Sequence, residues 1–223
     1  MKLIDLSHTI EDGLITYKGL PAPVICDYLS REKSHEFYEE GTEFQIGKIE
    51  LISNTGTYID CPFHRYENGK DLSETNLEKF VELDSVVIKF DYGKNGLAVD
   101  KRYFENFELG NKAVLVNTDW SKHWNTNTYY ENHPFITEDA AKYLKENKVK
   151  LVGIDSHNID DTRTNRRPVH SILLKNEILI VEHLTKLNQL PESGFKFYAV
   201  PPKFKRIRTF PVRAYTKILS TEK

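Results

Sequence analysis

Four short aliphatic runs limit what this chain can fold into: Val86–Phe90 (VVIKF), Ala113–Asn117 (AVLVN), Leu151–Ile154 (LVGI) and Ile178–Glu182 (ILIVE). Each is too short for an ordinary helix and rich in β-branched or aliphatic residues, so each reads as a buried strand. The clearest helical pattern is Thr137–Asn147, with Thr137 placed to cap it and Ala140, Ala141 and Leu144 on one face. Helix followed by strand predicts a mixed sheet containing βα units rather than a β-sandwich. Gln45–Ser53 (QIGKIELIS) alternates apolar and polar residues and adds another buried-looking strand. Leu72–Phe80 and Asp100–Phe104 are shorter helical candidates. Trp120–His133 has no periodicity and reads as a long loop, a kind of segment that often carries function.

No internal repeat or low-complexity run interrupts the 223 residues, so one continuous domain, 1–223, is the simplest organisation. A formal net charge of −2 argues against a nucleic-acid partner held by bulk electrostatics. The local basic cluster Lys203, Lys205, Arg206, Arg208 and Arg213 reads as a solvated face. Cys26 and Cys61 are far apart with no CxxC spacing, which excludes a disulfide framework and points to reduced thiols in a cytoplasm. Neither a signal-peptide core nor a run of about 18 apolar residues occurs, so no membrane partner is expected.

Two segments carry chemistry. In Ser53–His64 (SNTGTYIDCPFH), Asp60 and His64 stand four residues apart around Pro62. A turn-capping Asp beside a surface His would give the same pattern. In the second segment His170 precedes an apolar run and Glu182 closes a strand of aliphatic residues. A carboxylate at the end of a buried strand needs a partner, either an arginine or a metal ion. Together these residues offer two carboxylates and two imidazoles, donors that suit Zn²⁺, Mn²⁺ or Fe²⁺. His157, just after the third strand, and His35, in a charged stretch, read as a loop and a solvated histidine respectively. Tyr17, Trp120 and Trp124 are candidates for an aromatic wall around a ring-shaped ligand, with ordinary packing as the alternative.

Asn54-x-Gly56-Thr57-Tyr58-x-Asp60-x-Pro62-x-His64 resembles the signature His-x-Gly-Thr-His-x-Asp-x-Pro-x-His of the cyclase family, which includes kynurenine formamidases and isatin hydrolases. Asp5-Leu6-Ser7-His8, Tyr17–Pro21, Val152–Ser156, the twelve-residue interval from His170 to Glu182 and Pro202–Arg213 resemble further family segments in the same order. The resemblance implies an α/β fold, with a mixed, swivelling or barrel-like β-sheet flanked by helices, and a homo-oligomer. It implies metal ligation by Asp60, His170 and Glu182, acid–base work by His64, and a small-molecule substrate or ligand. Asn54 and Tyr58 replace two of the family's metal-binding histidines. One divalent ion, zinc or manganese, is therefore expected, with the second site lost and Tyr58 free for acid–base work. Tyr17, Asn54 and Trp120 are the expected substrate contacts. Three readings stay open. The first is a hydrolase or cyclase acting on an amide-like bond of a small cyclic or aromatic molecule. The others are a degenerate member that only binds such a molecule, and a metal-free enzyme using His64 with Tyr58.

Overall fold

The aliphatic runs all become strands, and they lie side by side. The computed structural model describes residues 1–218. Its strands are β1 (Lys2–Asp5), β2 (Val24–Leu29), β3 (Ile46–Glu50), β4 (Tyr58–Asp60), β5 (Leu83–Lys89), β6 (Ala98–Val99), β7 (Ala113–Asn117), β8 (Phe135–Ile136), β9 (Leu151–Ile154), β10 (Leu179–Glu182), β11 (Phe195–Tyr198), β12 (Thr209–Pro211) and β13 (Tyr215–Ile218). The helices are α1 (Arg31–Ser34), α2 (Tyr92–Asn95), α3 (Glu138–Glu146) and α4 (Pro168–Lys175). Nine strands form one curled, half-barrel sheet in the order β1-β13-β11-β5-β7-β9-β10-β4-β12. The pairings β5–β7, β7–β9 and β9–β10 are parallel, and the strands flanking this central group pair antiparallel.

Both faces of the central strands are covered, which is why they read as unbroken apolar runs. Leu115, Leu151 and Val181 enter one core with Ile59 and Phe197. Val114, Val152 and Ile180 enter the other, together with Ala141 and Leu144 of α3 and Leu173 of α4. At Gly153 a side chain is excluded: a Cβ there would sit 2.6 Å from Leu184 Cδ1 and 2.8 Å from Leu115 Cδ2.

Several elements differ from the sequence reading. The Gln45–Ser53 alternation does form a strand, β3, but every residue of it is exposed. It pairs with β2 alone, in a two-stranded ribbon separate from the main sheet. Leu72–Phe80 and Asp100–Phe104 contain only the 3₁₀ turns Leu77–Lys79 and Lys101–Tyr103. The run after His170 is helix α4. Tyr58–Asp60, which no strand pattern marks in the sequence, is an inner strand hydrogen-bonded on both edges. Trp120–His133 is the expected irregular segment, punctuated by 3₁₀ turns at Trp120–His123 and Asn127–Tyr130.

Candidate active site

Strand β4 is antiparallel to β10, with Tyr58 opposite Glu182 and Asp60 opposite Ile180. Successive side chains in a strand point to opposite faces. Ile59 and Val181 therefore enter one core, while Tyr58, Asp60 and Glu182 project from the other face, toward the first turn of α4. On the far edge of β4, Thr209 of β12 stands opposite Asp60 and donates its hydroxyl proton to Asp60 Oδ1. After β4 the chain turns through the 3₁₀ segment Pro62–His64, which brings His64 back beside Asp60, with His64 Nδ1 3.8 Å from Asp60 Oδ1.

One buried carboxylate sets the second imidazole. Asp160 accepts the backbone N–H groups of Val169 at 2.8 Å and His170 at 3.0 Å, in the first turn of α4. It also accepts His170 Nδ1–H at 2.6 Å. The same side chain thus satisfies helix-terminal donors and fixes the ring. A carboxylate can only accept here, so Nδ1 carries the proton and Nε2 is turned to Asp60 Oδ2 and Glu182 Oε1, 3.8 Å from each. Burial opposes a charge on this ring, but the hydrogen bond to Asp160 and the nearby carboxylates of Asp60 and Glu182 outweigh it and carry His170 up to about 10.

Glu182 is fully buried. Its Oε1 accepts from Ile159 N at 2.7 Å, and its Oε2 accepts the Tyr58 hydroxyl. Tyr17, whose hydroxyl is 2.7 Å from that of Tyr58, extends the network, and Asn158 Nδ2 donates to Tyr17 at 3.2 Å. Burial raises Glu182 to about 7, with His170 pulling it down and Asp60 adding to the rise. Burial, then the charge of Glu182, holds Tyr58 well above its ordinary value, so it stays a neutral phenol.

His64 is in the opposite condition to His170: burial lowers it, and it is neutral at pH 7. The Thr209 hydroxyl has one proton, already given to Asp60. Its 3.0 Å contact with His64 Nδ1 therefore makes Thr209 the acceptor. His64 thus carries its proton on Nδ1 and keeps the Nε2 lone pair available.

These groups open on a cavity of about 500 Å³ whose lining includes Tyr17, Asn54, Tyr58, His64, His170 and Glu182. Asp60 lies beneath it, fully buried. Trp120 is not among the lining residues: it is buried and donates its indole N–H to the Tyr129 carbonyl at 3.1 Å. Trp124 stacks on His8 at 3.9 Å between ring centroids. Asp160 and Thr209 went unnoticed in the sequence, and no local pattern marks either one.

The donor set suits a divalent ion. Coordinating atoms of Asp60, His64 and His170 all lie within 4.8 Å of one another. Asp60 Oδ2 is buried with no hydrogen-bond partner, although it faces His170 Nε2. An orphaned carboxylate oxygen in a dry site is costly unless a cation completes it. Asn54 and Tyr58 do not extend this set, since an amide oxygen and a neutral phenol are poor transition-metal ligands.

The curled mixed sheet, with a carboxylate–imidazole group beneath a ligand-sized cavity, defines an α/β protein whose site groups side chains able to hold a metal ion. The Cyclase family model ("Putative cyclase") matches residues 4–161, and the chain belongs to that family. Among curated proteins it is similar to the kynurenine formamidase of Bacillus thuringiensis subsp. konkukian, 27% identical over 215 residues covering 96% of both chains. The kynurenine formamidase of Bacillus anthracis is 26% identical over 214 residues, again 96% of each. Isatin hydrolase A from Labrenzia aggregata, solved with benzyl benzoate bound, shares the fold with a TM-score of 0.82 at 22% identity, covering 97% of this chain and 93% of that one. Among the described residues no helix is long and apolar enough to cross a membrane.

Proposed function

We propose that this protein is a hydrolase or cyclase acting on an amide-like bond of a small aromatic or cyclic molecule, working with one divalent ion, zinc or manganese. The observation that carries the reading is the orphaned Asp60 Oδ2 facing the Nε2 of a histidine whose tautomer Asp160 fixes. Asp60 and His170 would hold the ion, with Glu182 beside His170 as the third ligand. An ion bound there polarises a carbonyl and acidifies a water. His64, neutral and with Nε2 free, is placed to take a proton from the attacking water and to return it to the leaving amine. Tyr17 and Asn54 line the cavity and supply polar contacts to the substrate, while Tyr58 keeps Glu182 fixed. The names of the kynurenine formamidase relatives support an amide-like bond next to an aromatic ring.

Elemental analysis of protein purified without chelator or affinity-tag metal tests the reading. One equivalent of zinc or manganese per chain, with turnover of an aryl formamide or an aromatic lactam lost on chelation, is expected. Two tightly held equivalents would overturn the single-ion reading. A second reading has its own observation, the hydrogen bond from Tyr58 to Glu182. Turnover that survives chelation and disappears in Tyr58→Phe would establish metal-free acid–base chemistry by His64 and Tyr58. A homo-oligomer is part of the proposal, because the β2–β3 ribbon exposes Val24, Ile25, Ile46 and Ile49. An Ile49→Lys, Val24→Lys double variant is expected to sediment as a smaller species than the parent. An unchanged sedimentation coefficient would remove the ribbon from the interface.

A further inference from the structure

The cavity wall carries charge that the hydrolytic chemistry does not use. Arg65 and Arg167 both line it. Arg65 directly follows His64 at the end of the Pro62–His64 turn, and Arg167 is the residue that enters α4, three before His170. Ser171 ties the two segments together. Its hydroxyl accepts Arg65 Nε at 3.2 Å and donates to the Arg167 carbonyl at 2.8 Å, and its own carbonyl accepts the Tyr66 hydroxyl at 2.8 Å. The two arginines are therefore held on one wall by the segments that present the two imidazoles.

Among the described residues neither guanidinium has a carboxylate within 4.0 Å. The Arg65 guanidinium lies over the Tyr66 ring, 5.6 Å from its centroid, and its Nε bonds Ser171, while among the described residues neither terminal nitrogen has a hydrogen-bond partner. Arg167 spends NH1 on the carbonyls of Asp161, Thr164 and Arg166, which secures the loop before α4, and among the described residues NH2 has no hydrogen-bond partner. The carboxylates of the site do not consume this charge. Asp60 is bonded to Thr209, Asp160 to α4 and His170, and Glu182 to Tyr58 and Ile159. The wall is thus cationic and open, while the floor is a closed carboxylate–imidazole group.

We infer that the substrate carries a carboxylate, taken up by Arg65 and Arg167 at the cavity wall, apart from the bond that is cleaved over Asp60, His64 and His170. A guanidinium offers a planar fork of N–H donors that matches the two oxygens of a carboxylate, and such charge-assisted bonds are about twice as strong as neutral ones. The terminal nitrogens of Arg65 are placed to supply that fork, and Arg167 NH2 adds a third donor. The inference deepens the proposed hydrolase by naming its substrate class, so its test is kept apart from turnover.

Calorimetric titration of chelator-treated protein with 3-phenylpropanoate and with its neutral counterpart 4-phenylbutan-2-one isolates the carboxylate. The carboxylate is expected to bind at least ten-fold more tightly, and more weakly as salt is raised. Arg65→Met is expected to remove most of that preference and to leave the ketone unchanged. Arg65→Lys, which keeps the charge but lacks the fork, should restore it only in part. Arg167→Met is the supporting variant, read beside a far-ultraviolet dichroism spectrum because NH1 also secures the loop. Equal binding of the two probes, no measurable binding of either, or a preference that survives Arg65→Met would overturn the inference. So would a preference that appears only after zinc is added, since the carboxylate would then be bound to the metal. Loss of hydrolysis with the binding preference intact would count against the hydrolase alone.

Discussion

Glu182 is bonded on both oxygens before any ion arrives, and His170 is oriented by a carboxylate that is not itself at the cavity. Asp160 therefore matters to the metal through His170. Asp160→Asn keeps the shape but leaves a single acceptor oxygen for two backbone N–H groups and the ring Nδ1–H. Losses of metal affinity of about 10–100-fold are typical when such a supporting contact is removed, and part of the helix cap, about 1 kcal/mol, goes with it. Metal titration of the folded variant is expected to show that loss, and parental affinity would mean that Asp160 does not set the ring. In the sequence Glu182 stands out as a carboxylate closing an aliphatic strand and His170 as an imidazole before an apolar run, whereas Asp60 and His64 stand out only through the spacing of the signature they resemble. Asp160 and Thr209 do not stand out, because their importance arises only on folding. Thr209 is 149 residues from Asp60, and Asp160, though 10 from His170, reaches it only after the intervening loop folds back.

At the level of elements, the same alternation that makes β7 and β9 readable hides β4. On β7 and β9 both faces meet apolar neighbours, so Ala113–Val116 and Leu151–Ile154 run without a polar residue. On β4 only Ile59 enters a core, and the polar pair Tyr58 and Asp60 belongs to the site face, so three residues carry no recognisable pattern. Strand β3 fails in the other direction: its alternation is clear, yet no layer covers it. Pattern reports which residues can be buried, and the neighbours decide which are. Close packing across β9 gives a direct test. Gly153→Ala places a methyl within 3 Å of both Leu184 and Leu115, and overpacking of this kind costs about 1–3 kcal/mol. Urea unfolding should show that loss with an unchanged slope, whereas parental stability would mean that the two leucines move aside freely. Because Leu184 follows two residues after Glu182, the variant should also weaken metal binding.

Across the whole molecule, acid and base act on the fold through buried imidazoles. The His133 and His157 rings are 5.3 Å apart, and those of His157 and His183 are 5.8 Å apart. Burial lowers His8 to about 4, with Lys186 adding to it, and lowers His157 to about 3, with His133, Arg167 and Lys18 adding. In the unfolded chain each of these rings takes up a proton near pH 6.5. Below that value the unfolded state binds more protons than the folded state, so these histidines make stability fall as the pH falls. Asp155 and Glu182, both raised to about 7 by burial first, act the other way between about pH 4 and 7, because the fold holds protons that the unfolded chain has released. The contribution of His170 is complete below about 6.5 and is lost as the pH climbs through about 10. The opposed groups cancel in a comparison with His157→Phe, which keeps an aromatic ring among Tyr17, Tyr129 and Tyr130. Between pH 7 and 5 the unfolded parent takes up most of a proton on His157 that the variant cannot bind. The parent should therefore lose about 2 kcal/mol more than the variant over that interval, since each bound proton counts for about 1.4 kcal/mol per pH unit. Urea unfolding of both proteins at pH 7 and pH 5 measures the difference. Parallel losses would mean that His157 is protonated within the fold, and that the neutral histidine cluster behind the site opens to water in acid.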